Sequence, residues 1–527
     1  MVGTRLQPSF PCLHTIDRQE PACPAQIPFA GEPRAPIDCR GERLSQVISQ
    51  PEAPAATLRP LCVDLDGTLV KSDTLVDSLL VLMRSRPTLL LKLPASLLRG
   101  KAAFKATVTQ SISLDVAHLP YNREVVRYLQ QERARGRDIY LATGADERLA
   151  RRVAVHLGFF SGVLGSDGTT NMTGSRKLDS LRSSLGAVAF DYIGNDTPDL
   201  PLLASANQAM VANPSLGLRI GLRAHGIRPA RAFEERRHIV HSLVKAVRPH
   251  QWAKNLLIFV PLLCSHALSA GKLLTAFAAF CCFSLTASSA YIVNDLLDIE
   301  ADRRHPRKRL RPFASGDLSA FSGIAVAAIF ILIAVVGERF LPAAFSGWLL
   351  LYLVTALAYS GYLKRVALVD VIVLSGLYIL RLLAGSAATQ TPISHWLAGF
   401  SMFLFLSLAI VKRFAELENL RATNGTPKNG RGYLLADLPQ MRSFGTASAF
   451  AAVVVFANYI SGRDVTKLYR EPGRLWLIMP LMILWLCRVW LLASRGDLDE
   501  DPVAFALTDR MSQMIGVAVL VIAWLAL

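Results

Sequence analysis

Residues 289–312 read SAYIVNDLLDIEADRRHPRKRLRP. An apolar run ends here in Asn294, Asp295, Asp298 and Asp302, and a basic stretch follows that holds Arg303, Arg304, Arg307, Lys308, Arg309 and Arg311. At about 100° per residue on an α-helix, the four oxygen-bearing side chains fall within an arc of about 100° on one face, which Tyr291 shares. Such a cluster at a membrane edge is costly unless something cationic satisfies it. Mg2+ held jointly by these oxygens and a diphosphate answers that need, because Mg2+ takes one or two carboxylates and fills its shell from phosphates and water. The plainer alternative is an exposed acidic helix cap. The basic run that follows supplies the positive charge a diphosphate needs as it leaves, with Lys308 and Arg311 within reach, or it enforces topology.

The cluster sits within a long apolar half. Nine apolar spans are expected, near 254–270, 273–293, 320–337, 343–362, 367–388, 395–411, 444–461, 474–493 and 512–527, each close to the roughly 20 residues that cross a bilayer. Pro261 and Pro480 interrupt two of them, which packed membrane helices tolerate. The whole chain is 52% apolar and 18% charged, with mean hydropathy +0.34. The net charge of +17 lies largely between apolar segments, where it sets topology and meets anionic headgroups or phosphates. Nucleic acid is not the expected partner, since no DNA- or RNA-binding motif is present. The basic loops after spans two, four (Lys364, Arg365), six (Lys412, Arg413, Arg421, Lys428, Arg431, Arg442) and eight (Arg495, Arg510) share one side, which is therefore expected to be cytoplasmic. One loop dissents, with Arg463, Lys467, Arg470 and Arg474 after span seven.

The first half differs. Residues 1–56 are Pro-rich and polar and read as a disordered tail, and their start has no apolar core of a signal peptide. Residues 57–228 alternate short buried-strand patterns, LCVDL (61–65), DIYLAT (138–143) and FDYIG (190–194), with helical stretches such as REVVRYLQQERARG (123–136) that stops at Gly136. That alternation predicts a parallel sheet with helices on both faces. A linker over 229–243 then leads into an all-α membrane domain over 244–527. The eight cysteines (Cys12, Cys23, Cys39, Cys62, Cys264, Cys281, Cys282 and Cys487) form no zinc spacing and imply no disulfide framework.

Within the α/β domain, VDLDGTLV (63–70) places Asp64 and Asp66 two apart at a strand end, so both face one way. Two such carboxylates suit Mg2+ and the formation of an aspartyl-phosphate; the alternative is an acidic surface turn. The stretch resembles the haloacid dehalogenase (HAD) superfamily of phosphatases, and its later motifs follow in order: LATGA (141–145), Lys177 in GSRKLDSL, and YIGNDTPDLPLL (192–203). The resemblance implies Asp64 as nucleophile, Asp66 as general acid and base, Thr143 as the phosphate-binding hydroxyl and Lys177 as the lysine between nucleophile and phosphate. Asp196 or Asp199 would complete the Mg2+ site. One departure stands out: Asn195 occupies the first acidic position of the family's Gly-Asp-x-x-x-Asp loop.

The membrane half resembles the UbiA superfamily of intramembrane prenyltransferases, whose first motif is NDxxDxxxD. Four stretches look most like the branch that transfers ribose phosphate onto a polyprenyl phosphate: RPHQWAKNLLIFVPLL (248–263), NDLLDIEADRRHPRKRLRP (294–312), YSGYLKRVALVDVIVLSGLYILRLLAG (359–385) and DEDPVAFALTDRMS (499–512). That branch uses phosphoribosyl diphosphate, and the lipid phosphate displaces pyrophosphate at the anomeric carbon. Lys254, Tyr291, Lys308, Lys364 and Arg381 are the expected substrate-binding residues, and Asn294, Asp295, Asp298 and Asp302 the expected metal ligands. Arg381, deep in span five, either pairs with Asp370 or serves substrate phosphate. Lys412, Arg413 and Glu416 add a phosphate clamp or a plain basic loop. A second multi-aspartate motif, usual in the aromatic prenyltransferases of the superfamily, is reduced here to Asp370. Transfer of a prenyl group from a prenyl diphosphate to an aromatic or other acceptor is the alternative; a transporter or lipid-binding protein is the third reading.

Overall fold

The computed structural model describes residues 58–527 except 187, 236–238, 267, 423–431, 463–464, 466–467 and 499–501. The expected tail over 1–56 with Cys12, Cys23 and Cys39 lies outside the described residues, as do Lys428, Arg431, Arg463 and Lys467.

The α/β domain is built on one sheet of six parallel strands in the order β3-β2-β1-β4-β5-β6. They are β1 Leu61–Val63, β2 Ile139–Asp146, β3 Gly162–Ser166, β4 Asp191–Gly194, β5 Ala209–Ala212 and β6 Arg231–Phe233. The register Cys62 to Tyr140 on one side and Cys62 to Tyr192 on the other puts β1 at the centre. Its residues are fully buried, which is why the sequence there is a continuous apolar run rather than an alternation. Helices α1 Thr74–Ser85, α2 Arg123–Ala134, α3 Glu147–Leu157 and α4 Ser175–Leu185 cover the faces. α2 ends where expected, with Gly136 at φ +83. The sheet runs past the expected boundary at 228, because β6 pairs with β5.

Helix α5 Ile239–Val247 leads into the bundle. Seven helical stretches are long and apolar enough to cross a membrane among the described residues: α6 Ala270–Leu297, α8 Ala320–Glu338, α9 Ala343–Gly361, α10 Val369–Thr389, α11 His395–Ala422, α12 Leu435–Ile460 and α13 Pro472–Arg495. A short helix, α7 Ile299–Arg304, follows α6, and α14 Arg510–Ala526 is apolar but only 17 residues long.

Two of the nine expected spans thus fall short. The first is a tight 3-10 stretch, Pro249–Phe259, followed by a five-residue α-helix, Val260–Cys264. Pro249 opens the first piece and Pro261 is the second residue of the other, and each removes a backbone donor. The 3-10 stretch presses so closely on α10 that a Cβ on Gly385 would lie 2.1 Å from the Ile258 carbonyl oxygen. One face of the segment, with Asn255, Ile258 and Leu262, is buried in the bundle, and the other exposes Leu256 and Leu263.

The α/β domain docks on the end of the bundle that carries the acidic cluster. α1 packs on α6 and α7, and Leu80 of α1 joins one apolar core with Ile292, Leu296, Ile299, Phe313 and Leu318 of the bundle. In the loop between α7 and α8, Gly316 adopts φ +73 and lies against Lys71, whose Cβ would be 2.6 Å from an added methyl. A side chain there is excluded both by backbone conformation and by space.

Candidate active sites

β1 delivers Asp64 to its C-terminal end, and Gly67 at φ +77 turns the chain back. Asn195 explains why that glycine is needed: a Cβ at 67 would lie 2.0 Å from its Nδ2. Asp64 and Asp66 line one cavity of about 400 Å3 with Lys105, Lys177, Asn195, Asp196 and Asp199. Lys177 Nζ donates to Asp64 Oδ1 at 2.6 Å and to Asp199 Oδ1 at 3.1 Å, all three being buried. Burial pushes Asp64 up to about 7 against the pull of Lys177. Burial would lower Lys177, but Asp199 and Asp64 outweigh it and the ammonium is held charged. Asp66 is raised well above the ordinary carboxylate range by burial and by Asp73 and Asp64 beside it. Its Oδ1 accepts the Thr74 N–H at 2.7 Å, at the start of α1.

The two candidates for the third metal position stand differently. Asp199 is tied by Lys177, by the Tyr192 hydroxyl at 2.8 Å and by the Asn195 N–H at 3.1 Å. Asp196 is exposed and accepts from Thr197 N–H and Ser215 Oγ. Asn195 is the residue packed on the Gly67 turn, with Oδ1 accepting Thr68 Oγ1 at 3.2 Å. Thr143 is buried, does not line the cavity, and spends Oγ1 on the Ala145 N–H at 3.0 Å. Lys105, not singled out from sequence, does line it and is fixed by Gly144 O and Asn171 Oδ1.

The second site lies in the bundle. A cavity of about 330 Å3 gathers Lys254, Tyr291, Asn294, Asp298, Asp302, Lys308, Lys364 and Arg381, every expected substrate or metal residue except Asp295. The four acidic-motif residues do not share one unbroken helix. Asn294 and Asp295 lie on α6, Asp298 is its C-cap, and Asp302 lies on α7.

Asp295 is buried and turned away from the cavity. Arg248 Nη2 grips both its oxygens, at 2.6 and 2.8 Å, and Arg311 Nη1 reaches Oδ1 at 3.0 Å and Asp302 Oδ2 at 2.7 Å. Arg248 holds a left-handed backbone, φ +55, just before Pro249, a conformation that needs outside support. Asp295 thus holds two arginines that line the cavity.

Lys364 Nζ donates to Asn294 Oδ1 at 3.0 Å and Asp298 Oδ2 at 2.6 Å. Burial lowers Lys364, with Asp298 opposing, and burial lifts Asp302 to about 6, with Arg311 opposing. Asp298 Oδ1 is buried and accepts no hydrogen bond of good geometry, although Arg84 Nη1 of α1 stands 2.9 Å away.

Arg381 is buried and donates to Asn255 Oδ1, the Tyr352 hydroxyl and Leu377 O, with its guanidinium over the Phe283, Tyr352 and Tyr378 rings. Its expected alternative partner, Asp370, is taken instead by Arg413 and Tyr359.

Among the described residues no three His, Cys, Asp or Glu side chains converge on one point as a metal cage. The donor set still fits Mg2+: every facing donor is a hard oxygen, and Asp298 offers one with no hydrogen bond. Mg2+ typically binds through one or two carboxylates and substrate phosphates.

The UbiA prenyltransferase family model matches residues 257–512. A protein of Mycolicibacterium smegmatis named decaprenyl-phosphate phosphoribosyltransferase is 31% identical over 295 residues, 54% of this chain and 91% of that one. This chain belongs to the UbiA prenyltransferase family.

The family's helical core accounts for the multi-pass bundle described above. A further relative, the uncharacterized protein y4nM of Sinorhizobium fredii, is 36% identical over 459 residues, 87% of this chain and 89% of that one. That match is too long to fit in either domain alone. Among solved structures, a UbiA homolog from Archaeoglobus fulgidus bound to GPP and Mg2+ aligns with TM-score 0.41 and 16% identity, over 53% of this chain and 96% of that one.

Proposed function

We propose that this UbiA-family enzyme transfers phosphoribose from phosphoribosyl diphosphate to a polyprenyl phosphate, with Mg2+, at the cytoplasmic face of the plasma membrane. The observation that carries this reading is the charge of the bundle cavity. Its lining holds eight cations (Arg248, Lys254, Lys308, Arg311, Lys364, Arg381, Lys412 and Arg413) against three carboxylates (Asp298, Asp302 and Glu416). A prenyl diphosphate and a neutral acceptor bring only one cluster of phosphates. Phosphoribosyl diphosphate and a lipid phosphate bring three phosphorylated positions, and such an excess of cations suits them.

In the reaction, a lipid phosphate oxygen bonds to the anomeric carbon while the bond from that carbon to the diphosphate oxygen breaks, and pyrophosphate leaves. Arg311, Lys308 and Lys364 offset the charge developing on the leaving group. Asn294, Asp298 and Asp302 would hold Mg2+, which when bound neutralises the diphosphate. Arg381, fixed in its aromatic cage, offers its charge to a phosphate without having to be reordered.

The transfer leaves a phosphomonoester on the ribose, and the α/β domain carries the residues to hydrolyse one. Asp64 attacks phosphorus, the bond from phosphorus to the sugar oxygen breaks, and Asp66 gives its proton to that oxygen. Water, deprotonated by Asp66, then attacks the aspartyl-phosphate and releases inorganic phosphate. The raised pKa of Asp66 suits the acid role, and Lys177 offsets the phosphoryl charge.

Mass spectrometry of the lipid after incubation with Mg2+, phosphoribosyl diphosphate and a polyprenyl phosphate tests both steps. The expected product is a ribosyl-phosphoryl lipid without its 5-phosphate; in Asp64→Asn the 5-phosphate is retained. EDTA is expected to stop transfer. Consumption of a prenyl diphosphate with an aromatic acceptor, the lipid phosphate staying unchanged, would establish prenyl transfer instead.

A further inference from the structure

The phosphatase-like cavity does not belong to the α/β domain alone. Asp64, Asp66, Lys105, Lys177 and Asn195 form its polar floor, while Ile299, Phe313, Leu318 and Phe321 of the membrane domain wall the other side. Phe313 and Leu318 are anchored in the interdomain core with Leu80 and Ile292. Phe321 is different: it is 65% exposed and sits in the first turn of α8.

α8 is the span least buried by protein, with 17% of its apolar window covered. Ile324, Leu332, Val335 and Val336 are exposed along it, as expected of a helix that meets lipid. The apolar wall of the cavity therefore passes at Phe321 into the lipid-facing surface of a membrane span. The polar floor lies at the same end of that span, because the loop before α8 is locked onto the α/β domain at Gly316.

We infer that the HAD-like site takes a membrane-borne phosphomonoester, a phosphorylated headgroup on an isoprenoid chain, and that the transferase domain builds the lipid side of the pocket. The chain lies along α8, crosses Phe321, and presents the phosphate to Asp64 without leaving the bilayer. A free sugar phosphate would place no apolar surface against Phe321 and Leu318, whereas an isoprenoid chain is held there by burial of its CH2 groups. The chemistry is the hydrolysis already written, and the inference rests on that reading of Asp64.

The test uses the full chain in detergent micelles with two probes, ribose 5-phosphate and farnesyl-phosphoryl-ribose 5-phosphate, and phosphate release as the readout. The lipid-linked probe is expected to show kcat/KM at least about 30-fold above the free sugar phosphate. Phe321→Asp is expected to bring that ratio to within about threefold by raising KM for the lipid-linked probe, and Phe321→Leu to retain it. A wild-type ratio near one, or a ratio that Phe321→Asp leaves unchanged, overturns the inference.

If neither probe is hydrolysed, the phosphatase reading fails and binding decides the pocket. Asp64→Asn is then labelled with a diazirine-bearing farnesyl phosphate and with the matching farnesol. Labelling of residues 313–324 that requires the phosphate upholds a lipid-phosphate pocket. Equal labelling by both probes shows only a lipid-bathed helix and overturns it.

Discussion

Arg84 Nη1, in the α/β domain, stands 2.9 Å from Asp298 Oδ1, in the membrane bundle, and Nη1 also donates to Leu297 O at the end of α6 at 3.2 Å. Helix α1 thus touches both sites: its first N–H groups include the one that binds Asp66, and its last turn reaches the acidic motif. Arg84 does not line the bundle cavity, so it acts on the transferase through Asp298.

Removing Arg84 frees a carboxylate oxygen and takes a positive charge away from the place a cation would occupy. Arg84→Ala is expected to lower the Mg2+ concentration for half-maximal transfer by about threefold to tenfold, the scale of a partly exposed charge pair. Phosphate release is expected to stay unchanged. A Mg2+ titration of transfer checks this, and an unmoved midpoint would count against any link between the domains at this point.

Asp295 and Asp298 are expected to fail in different ways. Asp298 faces the cavity, so Asp298→Asn should reduce kcat for transfer at least about 100-fold and shift the Mg2+ midpoint upward. Asp295 faces two arginines. Asp295→Asn leaves Arg248 and Arg311 near other cations with one neutral partner, and about 3–5 kcal/mol is the usual cost of breaking a buried pair. The expected result is a lower melting temperature and a raised KM for the diphosphate substrate, with the Mg2+ midpoint unchanged. Kinetics over a Mg2+ series separates the two.

These roles mark how far sequence carries. The strands at 61–65, 138–143 and 190–194 were legible because buried parallel strands are written as short apolar runs between helical stretches. Eight site residues of the bundle, six charged plus Tyr291 and Asn294, were legible as polar groups beside apolar spans, and they do line one cavity. Asp295 was expected among the metal ligands because helical periodicity gives a face and not a partner; the partners it has in the structure are the arginines at 248 and 311. The apolar segment expected at 254–270 is a 3-10 stretch and a short helix and not one long helix, because Pro249 and Pro261 each remove a backbone donor that hydropathy does not register. Arg84 was not singled out and Arg303 was read only as part of the basic run: their partners lie 213 and 226 positions away in sequence, and nothing local points to them.

Arg303 is the second tie between the domains. Nη1 donates to Asp77 Oδ2 at 2.8 Å, Nη2 to Ser72 Oγ at 3.1 Å and Nε to Ala314 O at 3.2 Å, with Arg303 and Asp77 both buried. Arg303→Ala leaves Asp77 buried without a cation, with only the Ser72 hydroxyl donating to it at 2.6 Å, at a cost of about 3–5 kcal/mol to docking. Amide hydrogen exchange is expected to speed up in α1 while β1 and β4, buried inside their own domain, keep their protection. Protection of α1 unchanged in the variant would show that the apolar contacts of Leu80, with the Arg84 and Arg304 contacts, hold the domains together without Arg303.

Asn195 offers the reverse kind of test, a gain. It is packed on the Gly67 turn between the two catalytic-type carboxylates and the Asp196–Asp199 loop, and its amide meets Thr68 Oγ1. Asp has the same shape, so Asn195→Asp is sterically neutral, and the Thr68 hydroxyl can still donate to it. The change adds a negative charge beside Asp64 and Asp66. Without metal that charge is repulsive and should lower stability slightly. With Mg2+ it supplies a ligand, and metal affinity rises with ligand charge. The expected outcome is a Mg2+ midpoint for phosphate release about tenfold lower than in the natural chain, together with a melting temperature that falls in EDTA and recovers in Mg2+. If the midpoint does not move, the cation does not sit between Asp64 and residue 195, and Asp196 becomes the residue to replace next.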